Sequence, residues 1–417
     1  MLAATPACAE SVVVTAAHLV DVEAGRVLDD PVVVVTDGRI VSLTTRGAAR
    51  LAIPADARRI DLPGKTILPG LIDMHVHLTS NPRYGGYTGL QFTDSFWIAQ
   101  GAGNALRTLR AGFTTVRNVG SDEYGDVGLK QAIEEGWIDG PRIVPAAHAL
   151  GATGGHCDQT YLPPSFEAKS PAVGDSPEEL RKRVREQRKY GAEVIKVCAT
   201  GGVFSRNTAP GVQQMREEEL RAVADEAHFW RLKVAAHAHG ADGIKAAIRA
   251  GVDTIEHVSF IDAEGIRLAR ERGTWLGFDI YNTDYTLAEG KANGVLEENL
   301  AKERQVGTAQ RENFRAAAKG GARMIYSTDA GVYPHGDNAR QLAVMVRFGL
   351  SPIDALRSAT SNAARALGRE GDVGTLSVGR YADMVAVDGD PLRDVTLLER
   401  PAAVIKGGVL VAGQEAR

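Results

Sequence analysis

The sequence has few cysteines, no long apolar run and no excess of basic charge. Three of its 417 residues are cysteine, which excludes a disulfide-stapled scaffold. No segment contains 18 consecutive apolar residues, so we predict no transmembrane helix. Lys and Arg number 48 against 52 Asp and Glu, and this net charge of −4 without a long basic run argues against nucleic-acid binding. The length suits one domain of about 250–300 residues and a smaller one.

Residues 1–9 (MLAATPACA) do not resemble the start of a fold. They are small and apolar, and Ala7-Cys8-Ala9 fits the small-x-small rule for signal-peptidase cleavage. We interpret them as a truncated signal-peptide remnant with the mature start near Glu10; a disordered N-terminus is the alternative. A signal predicts a periplasmic or secreted protein rather than a cytoplasmic one. We expect the two remaining cysteines, Cys157 and Cys198, to be free thiols.

Both ends of the chain are rich in β-branched residues. Runs at 12–14, 32–35 and 39–43 are separated by Asp-Pro and Asp-Gly turns, and Asp37-Gly38 predicts a hairpin. Residues 374–411 have the same pattern of short apolar runs and glycine-rich turns. We therefore predict one β-sandwich domain built from residues 10–64 and 369–417.

Between residues 65 and 368, short apolar runs alternate with amphipathic helical stretches. Eight strand candidates lie at 66–77, 113–120, 141–147, 193–202, 233–240, 254–260, 274–280 and 323–331. Eight such units in about 300 residues predict an α/β fold, the (β/α)8 TIM barrel. A doubly wound sheet is the alternative, but no glycine-rich dinucleotide turn follows the first strand.

Polar residues suited to metal binding lie near the ends of five of these strands. The carboxyl ends of barrel strands meet at one rim, where the chemistry of such folds takes place. In His75-Val-His77 the period of two points both imidazoles to one face. Imidazole and carboxylate ligands suit zinc without thiolates, and the set predicts two divalent metal ions. The candidate ligands are His75, His77, Lys196, His237, His257 and Asp329.

Lys196 is unusual among these residues because it lies inside an apolar strand. Burial disfavours an ammonium, so its pKa should fall. A neutral amine beside metals can add CO2 and become a carbamate, an anion able to bridge two cations. Alone, Lys196 could instead be a buried ion-pair partner of the nearby Glu193, and each histidine alone could be structural.

Several motifs resemble the amidohydrolase superfamily. Residues 69–77 (PGLIDMHVH) are similar to its first-strand signature, and residues 374–385 and 389–391 resemble its C-terminal β-domain signature. Within the superfamily, the sequence resembles the imidazolonepropionase-related peptidase branch. Motifs at 154–156 (GGH), 194–196 (VIK), 200–202 (TGG) and 236–240 (AHAHG) carry that likeness.

The resemblance implies a binuclear, usually zinc, hydrolase of C-terminal amide bonds. The branch includes prolidase-like and carboxypeptidase-like enzymes and hydrolases of ochratoxin A. By matching position, His75, His77 and Asp329 would hold the more buried metal, His237 and His257 the second, and carbamylated Lys196 would bridge them. A metal-bridging hydroxide would attack the amide, and Asp329 would pass its proton to the leaving amine.

The resemblance and the loops also indicate candidate substrate contacts. We expect His156 to donate to the substrate carbonyl or carboxylate, and His239 and Asp73 to orient their neighbours. Arg206 is a candidate partner for a substrate carboxylate. The remaining candidates for lining the pocket are Val203, Phe204, Tyr281 and His335. Specificity should depend on loops at 81–94 and 282–300.

Three functions remain open at this stage. The first is hydrolysis of dipeptides or N-acyl amino acids, which makes a small amide the expected partner. The second is hydrolysis of a cyclic amide, or deamination, for which Lys196 would not be needed. The third is a non-catalytic scaffold, against which all six intact ligand positions argue. A homo-oligomer is common in the family, but nothing in the sequence identifies an interface.

Overall fold

The computed structural model describes residues 11–46 and 53–413, so the predicted signal remnant at 1–9 lies outside the described residues. Strands from both ends of this part of the chain form one β domain. They are β1 (Ser11–Asp21), β2 (Arg26–Asp29), β3 (Val32–Thr36), β4 (Arg39–Thr44), β5 (Arg58–Pro69), β14 (Met384–Asp388), β15 (Ala403–Lys406) and β16 (Val409–Ala412). The prediction that strands from both ends of the chain contribute to one β domain is thereby confirmed.

The β domain is a single hydrogen-bonded sheet that curves around its own core. Its order is β16-β15-β14-β5-β1-β3-β4, and β2 pairs with β1. Strands from both ends of this order contribute to one apolar cluster, which includes Ile40, Ile60 and Ile405. Asp37 and Gly38 connect β3 to β4 with φ values of 50° and 76°, the left-handed geometry of a two-residue hairpin.

Eight parallel strands form the barrel predicted for the middle of the chain. They are β6 (Leu71–Val76), β7 (Phe113–Asn118), β8 (Arg142–Pro145), β9 (Val194–Cys198), β10 (Lys233–Gly240), β11 (Thr254–Phe260), β12 (Trp275–Phe278) and β13 (Met324–Tyr326). Continuous pairing runs from β6 to β8 and from β9 to β13. Bridges from Val76 to Ala330 and from Leu150 to Val197 join these two sheets into a closed ring. The closed ring confirms the barrel and excludes the doubly wound alternative.

Helices cover the outside of the barrel. They are α1 (Asp94–Arg110), α2 (Gly125–Glu134), α3 (Pro177–Lys189), α4 (Glu217–Phe229), α5 (Ala241–Ala250), α6 (Ala263–Arg272), α7 (Asn282–Glu289), α8 (Glu297–Lys319), α9 (Arg340–Arg347), α10 (Pro352–Ser358) and α11 (Ser361–Leu367). On α4, Leu220, Val223 and Ala227 form a buried stripe, as the spacing predicts. Among the described helices, none combines the length and apolarity that crossing a bilayer requires.

The predicted first barrel strand at 66–77 is two strands that belong to different domains. β5 ends at Pro69 after pairing with β14, and β6 begins at Leu71. Gly70 lies between them against Thr114, where an added Cβ would come 2.1 Å from the Thr114 Oγ1 atom. A glycine is required at this change of sheet. β5 therefore carries the chain directly from the β domain into the barrel.

Candidate active site

Three predicted ligands from the first and last barrel strands lie together. The Nε2 atoms of His75 and His77 are each 3.3 Å from Oδ1 of Asp329. The His75 carbonyl accepts a hydrogen bond from the Asp329 backbone N–H at 2.8 Å, which fixes the two strand ends side by side. The ligand atoms of His75, His77 and Asp329 all lie within 4.8 Å of one another, a spacing suited to one metal ion.

Two candidate ligands adopt left-handed backbone conformations. His257 has a φ of 72° and Asp329 a φ of 59°, a region that non-glycine residues rarely occupy. The register of β10 and β11 also shifts between Ala238 and Gly240, next to His257. A residue in this conformation costs on the order of 1–3 kcal/mol and is typical of functional sites. The strain turns both side chains toward the shared rim.

A second group of candidate ligands comes from β10 and β11. It consists of His237, His239 and His257, all buried, whose ligand nitrogens lie within 4.8 Å of one another. The ring centroids of His237 and His257 are 4.4 Å apart. His239, predicted to orient a neighbour, stacks on His257 at 4.8 Å and donates to or accepts from Ser259 Oγ at 2.8 Å. It therefore offers a third nitrogen to this group.

Lys196 lies inside the barrel beside both groups. It is 3% exposed, and its register with Ala235 places it on the same face as His237. Burial lowers the pKa of Lys196 to about 8, against the attraction of Glu256 and Asp329. Glu193 binds Arg369 and Lys130 instead, so the ion pair considered from the sequence is not formed. A lysine with this pKa has an accessible neutral amine, which is the form that reacts with CO2.

A buried ion pair that the sequence analysis missed supports the first ligand group. Arg117 on β7 donates to Glu256 Oε1 at 2.5 Å, and Glu256 Oε2 lies 3.3 Å from Nδ1 of His75. Burial raises the pKa of Glu256, but Arg117 and His75 outweigh this effect and hold it well below its usual range. Glu256 therefore remains ionised and orients the His75 ring, as carboxylates commonly orient metal-binding histidines.

Asp73 acts on the backbone around the site rather than on the His75 ring. Its Oδ1 accepts the His75 backbone N–H at 3.1 Å, and its Oδ2 accepts Thr328 Oγ1 at 2.5 Å and Asn338 Nδ2 at 2.8 Å. These bonds tie β6 to the segment that precedes Asp329. Asp73 therefore positions two ligands through the chain that carries them.

Asp279, which follows β12, is a second carboxylate that the sequence analysis did not single out. Its Oδ2 lies 3.1 Å from His257 Nδ1, and it groups with His257 and Asp329 as possible ligands. Asp279 could have been found by looking for polar residues at the carboxyl end of the seventh strand, as was done for the other strands. For Arg117, the signal was an arginine within an apolar strand.

The expectation of free thiols at Cys157 and Cys198 is wrong. The two cysteines form a disulfide with a Cα–Cα distance of 5.8 Å. The fold brings them together because Cys198 ends β9, while Leu150, in the loop that carries Cys157, exchanges backbone hydrogen bonds with Lys196 and Cys198 of that strand. A sequence separation of 41 residues contains no sign of this contact.

The bridge lies next to His156, which covers the second ligand group. The His156 ring stacks on His237 at a centroid distance of 4.1 Å, and its Nδ1 is 2.8 Å from Ser205 Oγ. Its backbone N–H donates to Gln214 at 2.8 Å. Burial lowers the pKa of His156 to about 3, so the imidazole is neutral and carries one N–H donor.

Two cavities open on either side of His77. One has a volume of about 650 Å³ and is lined by residues of the loops after β6, β7 and β8. The other has a volume of about 160 Å³ and is lined by Phe204, Tyr285, Val295 and Val332, among others. His77 lines both cavities, so both spaces reach the first ligand group through this side chain.

The predicted pocket residues fall in different places. Phe204 lines the smaller cavity, whereas five others lie outside the linings of both: His156, Val203, Arg206, Tyr281 and His335. The Arg206 guanidinium is held by Glu298 at 3.0 Å and by the Tyr87 hydroxyl at 2.8 Å. His335 lies behind the site, where its Nε2 is 3.1 Å from the His77 carbonyl oxygen.

Comparison with known proteins agrees with this arrangement. The model of the amidohydrolase family matches residues 66–411. Ochratoxinase of Aspergillus niger is 33% identical over 373 residues, covering 83% of this chain and 76% of that protein. Imidazolonepropionase of Maricaulis maris is 27% identical over 403 residues, covering 89% and 88%.

Solved structures give the same result. A Xaa-Pro dipeptidase with bound methionine in the active site superposes with a TM-score of 0.88 and 33% identity, covering 96% of this chain and 99% of that one. Ochratoxinase of A. niger superposes with a TM-score of 0.86 and 30% identity, covering 97% and 96%. The chain belongs to the amidohydrolase family and is a hydrolase that acts on amide bonds.

Proposed function

We propose that the protein is a binuclear-metal hydrolase that releases the C-terminal amino acid from dipeptides or N-acyl amino acids. The observation that carries the proposal is the pair of ligand groups on one rim, His75–His77–Asp329 and His237–His239–His257, with Lys196 on the same interior face. Six nitrogen or oxygen donors and a lysine of lowered pKa are a donor set suited to two zinc ions.

The residues divide into metal holders and proton carriers. His75, His77 and Asp329 would hold one ion, His237 and His257 the other, and Lys196 would bridge them as a carbamate. Two divalent cations would supply the Lewis acidity that polarises the scissile carbonyl and lowers the pKa of water. Beside them, Asp329 presents a carboxylate that can accept a proton and return it to the leaving amine.

His156 is the proposed donor to the substrate. It is neutral because burial lowers its pKa, so its one N–H can hydrogen-bond a carbonyl without adding positive charge beside the metals. Stacking on His237 and the contact with Ser205 restrict the orientation of its ring. The similarity to a Xaa-Pro dipeptidase and to ochratoxinase supports a substrate in which an amide joins an acyl group to a C-terminal amino acid.

Metal analysis of a Lys196→Ala variant tests the binuclear site. We expect two zinc ions per chain in the parent, no more than one in the variant, and loss of hydrolysis of the best dipeptide. Lys182→Ala, at a lysine side chain that is 72% exposed on α3, is the matched control and should behave as the parent. In protein loaded with ¹³C-bicarbonate, a carbamate signal that persists without Lys196 would refute the bridging role.

A substrate panel tests the reaction. It contains dipeptides and N-acyl amino acids with apolar, proline and basic C-terminal residues, and ochratoxin A. Failure to hydrolyse all of them would contradict the proposal. The similarity to imidazolonepropionase supports a second candidate, a cyclic-amide hydrolase. Hydrolysis of a cyclic amide but of no panel member, with no effect of Lys196→Ala, would favour this alternative.

We further propose that the protein works outside the cytoplasm, in the periplasm or secreted. The Cys157–Cys198 disulfide supports this location, because such bonds persist in oxidising compartments and are rare in the cytosol. Fractionation of the native host should recover activity outside the cytoplasm. Recovery from the cytosol with Cys157 and Cys198 both as free thiols would refute the location.

A further inference from the structure

The two cavities beside His77 differ in size and in charge. Aromatic residues are concentrated beside the larger one, at five of the fourteen positions from 84 to 97. Three of them, Tyr84, Phe92 and Trp97, line it. Tyr84 lies 4.7 Å from Phe92 and 5.7 Å from Trp97 between ring centroids. These half-buried rings pack on one another outside the main hydrophobic clusters, which leaves ring surface available to a ligand.

The larger cavity also carries unpaired negative charge. Asp94, Asp122 and Glu123 line it, and among the residues that the structure describes its lining contains no lysine or arginine. Within residues 11–46 and 53–413, none of these three carboxylates forms an ion pair. Carboxylates repel an anionic ligand, and aromatic rings attract a cation or another ring. The lining therefore favours neutral or cationic aromatic groups and disfavours a carboxylate.

The smaller cavity is uncharged and largely apolar. In the described part of the chain, its lining has no aspartate, glutamate, lysine or arginine. Its apolar walls come from Phe204, Tyr285, Val295 and Val332. A volume of about 160 Å³ suits one side chain of modest size. Nothing in this lining repels the carboxylate of a C-terminal amino acid. Charge therefore determines which end of the substrate each cavity can accept.

We propose that the larger cavity binds the acyl-side group of the amide, selecting an aromatic or cationic group over an anionic one, while the smaller cavity takes the C-terminal residue. The inference rests on the proposed function and adds the orientation and class of the substrate. Dipeptides with N-terminal Trp, Phe or Arg are then good substrates, and those with N-terminal Glu or Gly are poor ones.

A dipeptide series with one fixed C-terminal residue tests the inference. That residue is the one hydrolysed fastest in the panel described above, and the N-terminal residue is Trp, Phe, Arg, Gly or Glu. We expect kcat/KM for Trp, Phe and Arg to exceed that for Gly and Glu at least tenfold, in the range that pocket contacts supply.

Two variants separate the aromatic and charge effects. Trp97→Ala should remove most of the preference for N-terminal Trp, whereas Trp137→Ala, at a residue that is 83% exposed on the loop after α2, should not. The double variant Asp122→Asn/Glu123→Gln should lower kcat/KM for Arg and raise it for Glu. Glu178→Gln on α3 is its control. Thermal unfolding checks that each variant remains folded.

The outcomes distinguish this inference from the proposed function. If dipeptides are cleaved with equal kcat/KM for every N-terminal residue, or if Trp97→Ala and Trp137→Ala behave alike, the cavity assignment is wrong and the hydrolase proposal stands. A preference for N-terminal Glu overturns the charge argument in particular. If no member of the series is cleaved, the proposed function itself fails.

Discussion

The disulfide between Cys157 and Cys198 should make a large contribution to stability. It closes a loop across a sequence separation of 41 residues. In the chain-entropy model, a loop of this length destabilises the unfolded state by about 4 kcal/mol. Replacing both cysteines with alanine should therefore lower the free energy of unfolding by about that amount. Urea titration at a fixed metal concentration measures it.

Comparing single and double variants tests whether the cysteines act as one unit. Cys157→Ala and Cys198→Ala should each cost nearly as much as both together, because either change removes the same bond. A reductant should destabilise the parent and leave the double variant unchanged. Additive losses, or free thiols at Cys157 and Cys198 in the unreduced parent, would refute the reasoning.

The same variants should alter catalysis through His156, which precedes Cys157. Without the bridge, its loop is held to the end of β9 by backbone hydrogen bonds alone, such as that between Leu150 and Lys196. We expect kcat/KM to fall about tenfold, since small displacements of a catalytic group are costly. Metal content should not change. Full activity after reduction would mean that Ser205 and Gln214 suffice to position the ring.

Three further predictions concern buried and exposed charges. Arg117→Leu should lower the free energy of urea unfolding by about 3–5 kcal/mol, because it leaves Glu256 buried without its partner. The double variant Arg117→Leu/Glu256→Leu should recover most of this loss, and an equal loss in the single and double variants would argue against the ion pair. Asp279→Asn should weaken metal affinity about 10–100-fold, measured by chelator competition, because His257 loses the carboxylate that orients it. Unchanged affinity would show that Asp279 has no role in metal binding. The hydrogen bond to an aspartate raises the pKa of His228, so its stabilisation is complete below pH 6.5 and lost as pH rises through the higher folded pKa. His228→Gln should therefore lower the free energy of urea unfolding at pH 5.5 more than at pH 9, by less than about 1 kcal/mol because the pair with Asp253 is partly exposed. A larger loss at pH 9 would contradict the raised pKa.

The barrel and its rim were predictable because their signals are local. The alternation in His75-Val-His77 sets one face of a strand, and barrel geometry brings strand ends from distant parts of the sequence together. His237, His257 and Asp329 could be placed beside His75 without knowing any contact in detail. The lowered pKa of Lys196 was predictable from a local signal too, because a position inside an apolar strand implies burial.

The remaining features depend on contacts that a single sequence does not encode. The break at Gly70 results from the close approach of Thr114, which is distant in sequence. Cys157 meets Cys198 because its loop follows the end of β9, and Glu256 meets Arg117 across the barrel interior. Arg206 was predicted to meet a substrate, but Glu298 and Tyr87 already hold its guanidinium. The contacts of a loop side chain can therefore be read only from the folded structure.

The pairing of β5 with β14 also has a consequence for synthesis of the chain. Thr66 pairs with Val387 and Leu68 with Val385, so one edge of β5 has no partner until β14 leaves the ribosome, long after β5 itself. That edge contains apolar Ile67 and Leu68, and unpaired apolar edges promote aggregation. During translation, the nascent chain therefore exposes an aggregation-prone strand edge from the synthesis of β5 until β14 arrives.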